Sequence, residues 1–220
     1  MTETLQGAAA TRQAIIDTAL RLFGEYGYNA VSTRKIAEHA NANIGSIAYH
    51  FGGKPGLLRA CALYVIEAAE ESLGKGILDA IPDDMLPEEA RTDLIHTVLL
   101  MVTPITGRDD AEAISTFMMR HLAQPSDAFD LIYDQYLAPL HKHLQQLLAR
   151  AAHRDPESEE TRVLTFTLLG QSMYFRLCRH IVRRSMHWES FGPAECSQVR
   201  AALEISINSL IDAYALEPAA

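Results

Sequence analysis

Ser32-Thr33-Arg34-Lys35-Ile36-Ala37-Glu38-His39-Ala40-Asn41-Ala42-Asn43-Ile44-Gly45-Ser46-Ile47-Ala48-Tyr49-His50-Phe51 reads as two short helices joined by a tight turn. The first starts behind a hydroxyl cap, Ser32 or Thr33, and turns Ile36, Ala37 and Ala40 to one side, the spacing of a buried helical stripe. Asn41 is among the few non-glycine residues that enter a left-handed turn cheaply, and Asn43 can cap the amides of the next helix. In that second helix Ile47 and Phe51, four residues apart, point inward together. Ile44, Gly45, Ser46, Ala48, Tyr49 and His50 are left facing outward. At about 1.5 Å per residue this helix is roughly 13 Å long, suited to laying its front turn in a major groove. The pattern is a helix-turn-helix, and it makes double-stranded DNA the first partner to consider.

The charge of the chain agrees once it is divided along the sequence. The net formal charge is -9 over 220 residues, yet Thr11 to Arg59 holds six basic residues against three acidic ones, a net of +3 that leaves -12 for the rest. A basic head on an acidic body confines the favourable DNA potential to one end. No apolar run is long enough to span a bilayer, and the start Met1-Thr2-Glu3-Thr4-Leu5-Gln6-Gly7 lacks a signal-peptide pattern. A cytoplasmic protein without a membrane partner is therefore expected. Cys61, Cys178 and Cys196 are odd in number and far apart, which fits neither a disulfide framework nor a CxxC metal site.

The N-terminal residues resemble the DNA-binding head of the TetR family of bacterial transcriptional repressors. The resemblance rests on Ala14 to Phe23 followed by Gly24-Glu25-Tyr26-Gly27-Tyr28, on Thr33-x-x-Ile36-Ala37, on Tyr49-His50-Phe51, and on Lys54 with Leu57-Leu58. The run Leu137-Ala138-Pro139-Leu140-His141-x-His143-Leu144 and the later Phe175-Arg176-Leu177 are similar to the branch that governs efflux genes and antibiotic sensitivity. Two positions depart from the family pattern, Asn41 where glycine is common and Ala48 where an aromatic is common. The resemblance implies phosphate contacts from Thr33, Tyr49, His50 and Lys54, and the chemistry of hydroxyl, imidazole and ammonium groups suits that role. Arg34, Ile44, Gly45 and Ser46 lie where base edges come within reach, with Asn43 beside them.

Beyond the head the chain reads as helical throughout. The expected fold is all-α: a three-helix helix-turn-helix head with its N-terminal arm at 1–53, then a larger helical ligand-binding and dimerisation domain at 54–220, about nine helices in all. Breaks are expected at Ile81-Pro82-Asp83-Asp84, Thr103 to Gly107, Gln124 to Asp127, His153 to Pro156 and Phe191-Gly192-Pro193. Pro55, Pro156 and Pro193 are placed to open helices, and Met1 to Ala10 reads as a loose arm.

Two late helices carry a signal for self-association. Val163, Phe166, Gly170, Met173, Leu177 and Ile181 follow a nearly heptad spacing, as do Val199, Leu203, Ile207, Leu210 and Tyr214. The last helix also has a second small or apolar face at Ala201, Ala202, Ile205, Ser206 and Ala213, so a homodimer through a four-helix bundle is expected. Its interface is assigned to Phe166, Met173, Leu177, Leu203, Ile207, Leu210 and Tyr214. The middle helices combine flexible sulfur, aromatic faces and a few polar groups, a lining for a small apolar or amphipathic ligand at Phe117, Arg120, His121, Met173, Tyr174 and Arg176.

Three function classes follow. The first is a ligand-responsive dimeric DNA-binding repressor of efflux or small-molecule-response genes. The second keeps the head but senses a metal ion, a redox signal or a protein partner. The third is an all-helical enzyme, for which the chain offers no glycine-rich phosphate loop, HExxH or nucleophile elbow, so no catalytic residue, cofactor or metal site is assigned.

Overall fold

The computed structural model describes residues 2–74, 76–102, 109–123 and 126–216, with the side chains of 2–6 and 176 left aside. The fold is all-α, with no strand among the described residues. The expected break at 103–107 falls outside them, as do residues 124 and 125 of the one expected at 124–127. Among the described residues no helix is long and apolar enough to cross a membrane. Contact density separates two compact units, one of residues 1–70 with 105–137 and the other of 71–104 with 138–220.

The first unit contains α1 (Thr2–Tyr26), α2 (Thr33–His39), α3 (Ile44–Phe51), α4 (Lys54–Leu73), α6 (Ala111–Leu122) and α7 (Asp127–Ile132), followed by a π-helical turn Tyr133–Leu137. Its core forms around α1, whose Ile15, Ile16, Ala19, Leu20, Leu22 and Phe23 are almost fully buried, and which packs on α2 and α3, where Ile36 and Ile47 are buried in turn. Each large apolar side chain so enclosed contributes about 1.5–3 kcal/mol. The arm expected at Met1 to Ala10 is instead helical from Thr2 onward, a backward extension of α1. Alanines at 8, 9 and 10, the best helix formers, carry the helix through that stretch.

Helix α6 also packs on α1. Gly24 permits the approach, since a Cβ there would lie 3.0 Å from the backbone nitrogen of Phe117. Gly56 does the same for α4, where a Cβ would fall 1.8 Å from the carbonyl oxygen of Phe51. Both close contacts need the bare backbone that glycine supplies.

The second unit contains α5 (Pro87–Val102), α8 (Ala138–Ala152), α9 (Glu159–Leu177), α10 (Arg179–Met186) and α11 (Pro193–Leu216). Leu94 and Val98 of α5, Leu144 and Leu147 of α8, Leu168 of α9 and Ile207 and Ile211 of α11 form its core. A polar knot crosses this unit near the end of α11. The Tyr214 hydroxyl pairs with Thr161 Oγ1 at 2.7 Å, and Arg154 donates to the Tyr214 carbonyl through Nε and Nη2 at 3.0 and 2.6 Å. Pro193 opens α11 as expected, but Pro156 does not open α9; Ser158 caps that helix by accepting from the Thr161 amide.

Among the described residues the division into eleven α-helical segments, against about nine expected, comes from two interruptions with no proline or glycine to announce them, the π-turn at Tyr133–Leu137 and the single residue Cys178.

The stripe on α11 expected at a subunit interface is mostly internal. Leu203, Ile207 and Tyr214 are 4%, 0% and 3% exposed within the single chain, so they hold the monomer together and leave no surface for a partner. Leu210 is half-buried, and Ile211 takes its place in the core. Helix α11 instead shows solvent the other face, with Ala201, Ala202 and Ala213 exposed and Ile205 69% exposed. On α9 the outward stripe is Val163, Phe166, Tyr174 and Leu177, while Met173 is half-buried.

Candidate nucleic-acid interface

The turn between α2 and α3 is built by local chemistry. Ser32, not Thr33, caps α2, its hydroxyl accepting from the Lys35 amide at 3.1 Å. Asn41 sits at φ 50°, taking the left-handed geometry that a glycine would. Asn43 caps α3 by accepting from the Gly45 amide at 2.8 Å, which commits its Oδ1 and leaves the amide nitrogen as the group able to donate to a phosphate. Gly52 at φ 70° ends the helix. Ile47 is buried and Phe51 half-buried, with the Arg12 guanidinium 5.4 Å from the Phe51 ring centre.

This anchoring leaves the front and outer side of α3 to solvent. Ile44 is 53% and Tyr49 83% exposed, Gly45 is exposed, and Ser46 and His50 are half-buried. A large apolar side chain and a phenol held so far out of a short, well-anchored helix make no sense as core; they are placed to touch something. The rings of Tyr49 and His50 stand edge to face at 4.9 Å, which orders the imidazole.

The basic groups around α3 are each held by one weak partner. Arg34, exposed on the first turn of α2, reaches Glu38 Oε1 through Nε at 3.0 Å. An exposed i,i+4 pair of this kind contributes about 0.3–0.5 kcal/mol, little hindrance to exchanging the carboxylate for a base or phosphate. Lys54, at the first turn of α4, holds its Nζ 4.2 Å from the centre of the Tyr28 ring, and partial burial lowers its pKa. Lys35 lies over Tyr26 in the same way at 4.0 Å. Lys35, Tyr26 and Tyr28 were not assigned to the site from sequence; Tyr26 ends α1 and Tyr28 lies in the turn after it, and no spacing rule links that turn to the lysines. Thr33 is half-buried in the first turn of α2. All nine residues assigned to DNA thus lie on α2, on α3 or its N-cap Asn43, or in the first turn of α4, within one compact unit.

The residues assigned to a ligand are distributed otherwise. Phe117, Arg120 and His121 belong to α6 in the first unit, and Met173, Tyr174 and Arg176 to α9 in the second. Phe117 is fully buried, with its ring 4.3 Å from that of His121. The Arg120 guanidinium is already engaged: Nε donates to the Gly24 carbonyl at 2.6 Å and Nη2 to that of Glu25 at 2.8 Å, closing the end of α1. His121 contacts the Ser126 hydroxyl through Nδ1 at 2.9 Å, while its Nε2 is buried without a partner. Burial, and after it the neighbouring Arg120 charge, lowers the His121 pKa. Tyr174 is half exposed on the outward stripe of α9, and the Arg176 side chain lies outside the described set. Among the described residues no group of three or more His, Cys, Asp or Glu side chains is gathered as for a metal ion.

Comparison with known proteins agrees with this geometry. Residues 15–61 match the family described as bacterial regulatory proteins, tetR family, and residues 90–214 match the C-terminal domain of the HTH-type transcriptional dual regulator CecR. The chain is 30% identical over 213 residues to that regulator from Shigella flexneri, covering 94% of each protein. Its fold is similar to that of a transcriptional regulator from Pseudomonas aeruginosa PAO1, at 17% identity and a TM-score of 0.63, covering 93% of this chain and 91% of that one. It is also similar to AibR in complex with isovaleryl coenzyme A and operator DNA, at 20% identity and a TM-score of 0.56, covering 88% and 96%.

Proposed function

The chain belongs to the TetR family of bacterial transcriptional regulators, and on that premise we propose that it acts in the cytoplasm as a ligand-responsive homodimeric repressor of efflux or small-molecule-response genes. The observation that carries the DNA-binding part is the solvent-facing front of α3, with Ile44 and Tyr49 exposed between Arg34 of α2 and Lys54 of α4. In this reading Thr33, Tyr49, His50 and Lys54 hold phosphates, Asn43 donates through its amide, and Arg34, Ile44, Gly45 and Ser46 meet base edges. The ligand-binding and dimerising part of the chain is taken to begin at residue 54, so that Lys54, at its first residue, reaches back to the DNA.

The dimer rests on the outward apolar stripes of α9 and α11, above all Phe166, Leu177 and Ile205, rather than on the internal Leu203, Ile207 and Tyr214. The ligand is a small apolar or amphipathic molecule, and His121 supports this by its buried, unpaired Nε2 on α6. Because Arg120 ties the same helix to the end of α1, occupancy beside His121 shifts α6 and with it the seating of the head. Similarity to a regulator crystallised with both an acyl-coenzyme A and its operator supports a ligand-coupled mode.

The test is a salt series on an operator obtained by genomic binding-site selection, run beside scrambled DNA. Each neutralised phosphate contributes about 0.9 to the slope of log affinity against log salt, so Lys54→Ala flattens it by roughly two for a dimer and weakens both DNAs alike. Arg34→Ala instead lowers discrimination by about 1–3 kcal/mol per half-site. An unchanged slope for Lys54→Ala, or an equal loss on both sequences for Arg34→Ala, reassigns that residue.

A further inference from the structure

A second concentration of positive charge lies far from the head in sequence, on α10, in the part of the chain that carries the -12 surplus. His180, Arg183, Arg184 and His187 recur at i, i+3, i+4 and i+7 and so share one face, while Val182 is buried on another. His187 ends the helix at φ 57°, and the Trp188 amide donates back to the Arg183 carbonyl at 2.9 Å, which returns the chain to the same turn, with the indole edge to face with the Phe191 ring at 5.7 Å. These five residues line a cavity of about 350 Å³. Arg183 donates through Nη2 to the Glu189 carbonyl, yet its Nε is buried with no acceptor.

Arg179 and Arg183, at i,i+4 on this helix, are like charges that disfavour it, and no carboxylate among the described residues forms an ion pair with Arg183 or Arg184. Such an arrangement is stable when an anion is shared between them. A guanidinium offers parallel N–H donors that match the oxygens of a phosphate, and Trp188 adds a flat wall against which a ring can lie. The cavity is at the small end of ligand sites, and four of its five lining residues are basic, which disfavours a purely apolar occupant. The cavity is shallow and open to solvent, so a bound molecule keeps part of its surface in water.

We propose that this cavity binds a small organic phosphate of nucleotide size, its phosphate held by Arg183 and Arg184 and its ring against Trp188. The site is separate from the helix-turn-helix and does not depend on how the head reads DNA.

Trp188 is the single tryptophan of the chain, so its fluorescence reports on this cavity alone. Adenosine diphosphate, inorganic pyrophosphate and adenosine are titrated into the full-length protein. The diphosphate is expected to shift the emission saturably, pyrophosphate to bind more weakly for want of a ring, and adenosine to do nothing at the same concentrations. Arg184→Gln, at an exposed position whose change leaves the fold intact by circular dichroism, is expected to weaken the diphosphate by about ten-fold. His180→Gln provides a second variant that leaves the Arg183 contact to Glu189 in place. A silent emission with millimolar diphosphate, an equal response to adenosine, an unchanged affinity in both variants, or a response to random duplex DNA that the diphosphate does not compete would each overturn the assignment.

Discussion

Removing the Arg120 side chain tests how firmly α6 is fastened to the end of α1. The carbonyls of Gly24 and Glu25 are among the last four of α1, which have no partner within the helix, and Arg120 supplies donors to both at 2.6 and 2.8 Å. A hydrogen bond to a charged group contributes about 1.5–3 kcal/mol. The bond to Gly24 is partly buried and takes a value in that range, whereas the bond to Glu25 is exposed and contributes less, about 0.2–1 kcal/mol. The cation at a helix C-terminus adds about 0.3–1 kcal/mol. Arg120→Ala is therefore expected to destabilise the first unit by roughly 2–5 kcal/mol, and Arg120→Lys, lacking the planar fork, to recover about half.

Urea unfolding followed by far-ultraviolet circular dichroism gives the free energy. Hydrogen exchange at the amides of α6 and the last turn of α1 shows whether the loss is local to that clamp. An alanine variant within about 0.5 kcal/mol of wild type, with unchanged exchange, would mean that solvent replaces the guanidinium without cost and would remove Arg120 from the proposed coupling between ligand and head.

Phe166→Glu and Ile205→Glu, both on outward faces, are expected to convert a dimer into a folded monomer by light scattering, whereas Leu203→Glu, which buries an unpaired carboxylate, costs helicity first; a folded dimer in both outward variants refutes the proposed interface. Burial lowers the pKa of His121, His141 and His143 below the usual histidine value. The folded state then binds fewer protons than the unfolded one, so stability is complete above about pH 6.5 and declines as pH falls below it. His121→Gln should make that decline shallower in denaturation curves taken between about pH 7 and 5, and an identical pH dependence would show that His121 is not held neutral by the fold. Burial, reinforced by the Asp17 charge, pushes the Cys61 thiol far above its ordinary pKa; a thiol reagent should label half-buried Cys178 and Cys196 in the native protein and reach Cys61 only on unfolding. Rapid native labelling of Cys61 would bring a redox-sensing role back into consideration.

The helix-turn-helix was legible in the sequence because every signal that builds it is local. A hydroxyl at Ser32, an asparagine that tolerates φ 50° at position 41, a capping amide at Asn43 and the pair Ile47 and Phe51 act over two to four residues. Spacing along one helix is enough to say which side goes inward. The same reasoning identified two usable faces on α11 but could not choose between them, since Leu203 and Ile207 are as apolar as Ile205, and the choice depends on what α5, α8 and α9 place opposite. Tertiary packing put Leu203, Ile207 and Tyr214 in the core and left Ile205 outside. It also decided the roles of the polar groups, because a guanidinium takes whichever acceptor folding brings to it. Arg120 lies 96 residues from Gly24 and closes α1, Arg154 lies 60 residues from Tyr214 and ties down the end of α11, and neither pairing is written in any local pattern. What the sequence alone determined is therefore the periodic and capped part of this protein; which face is hidden and which charge is engaged were decided by contacts between segments distant along the chain, where no spacing rule applies.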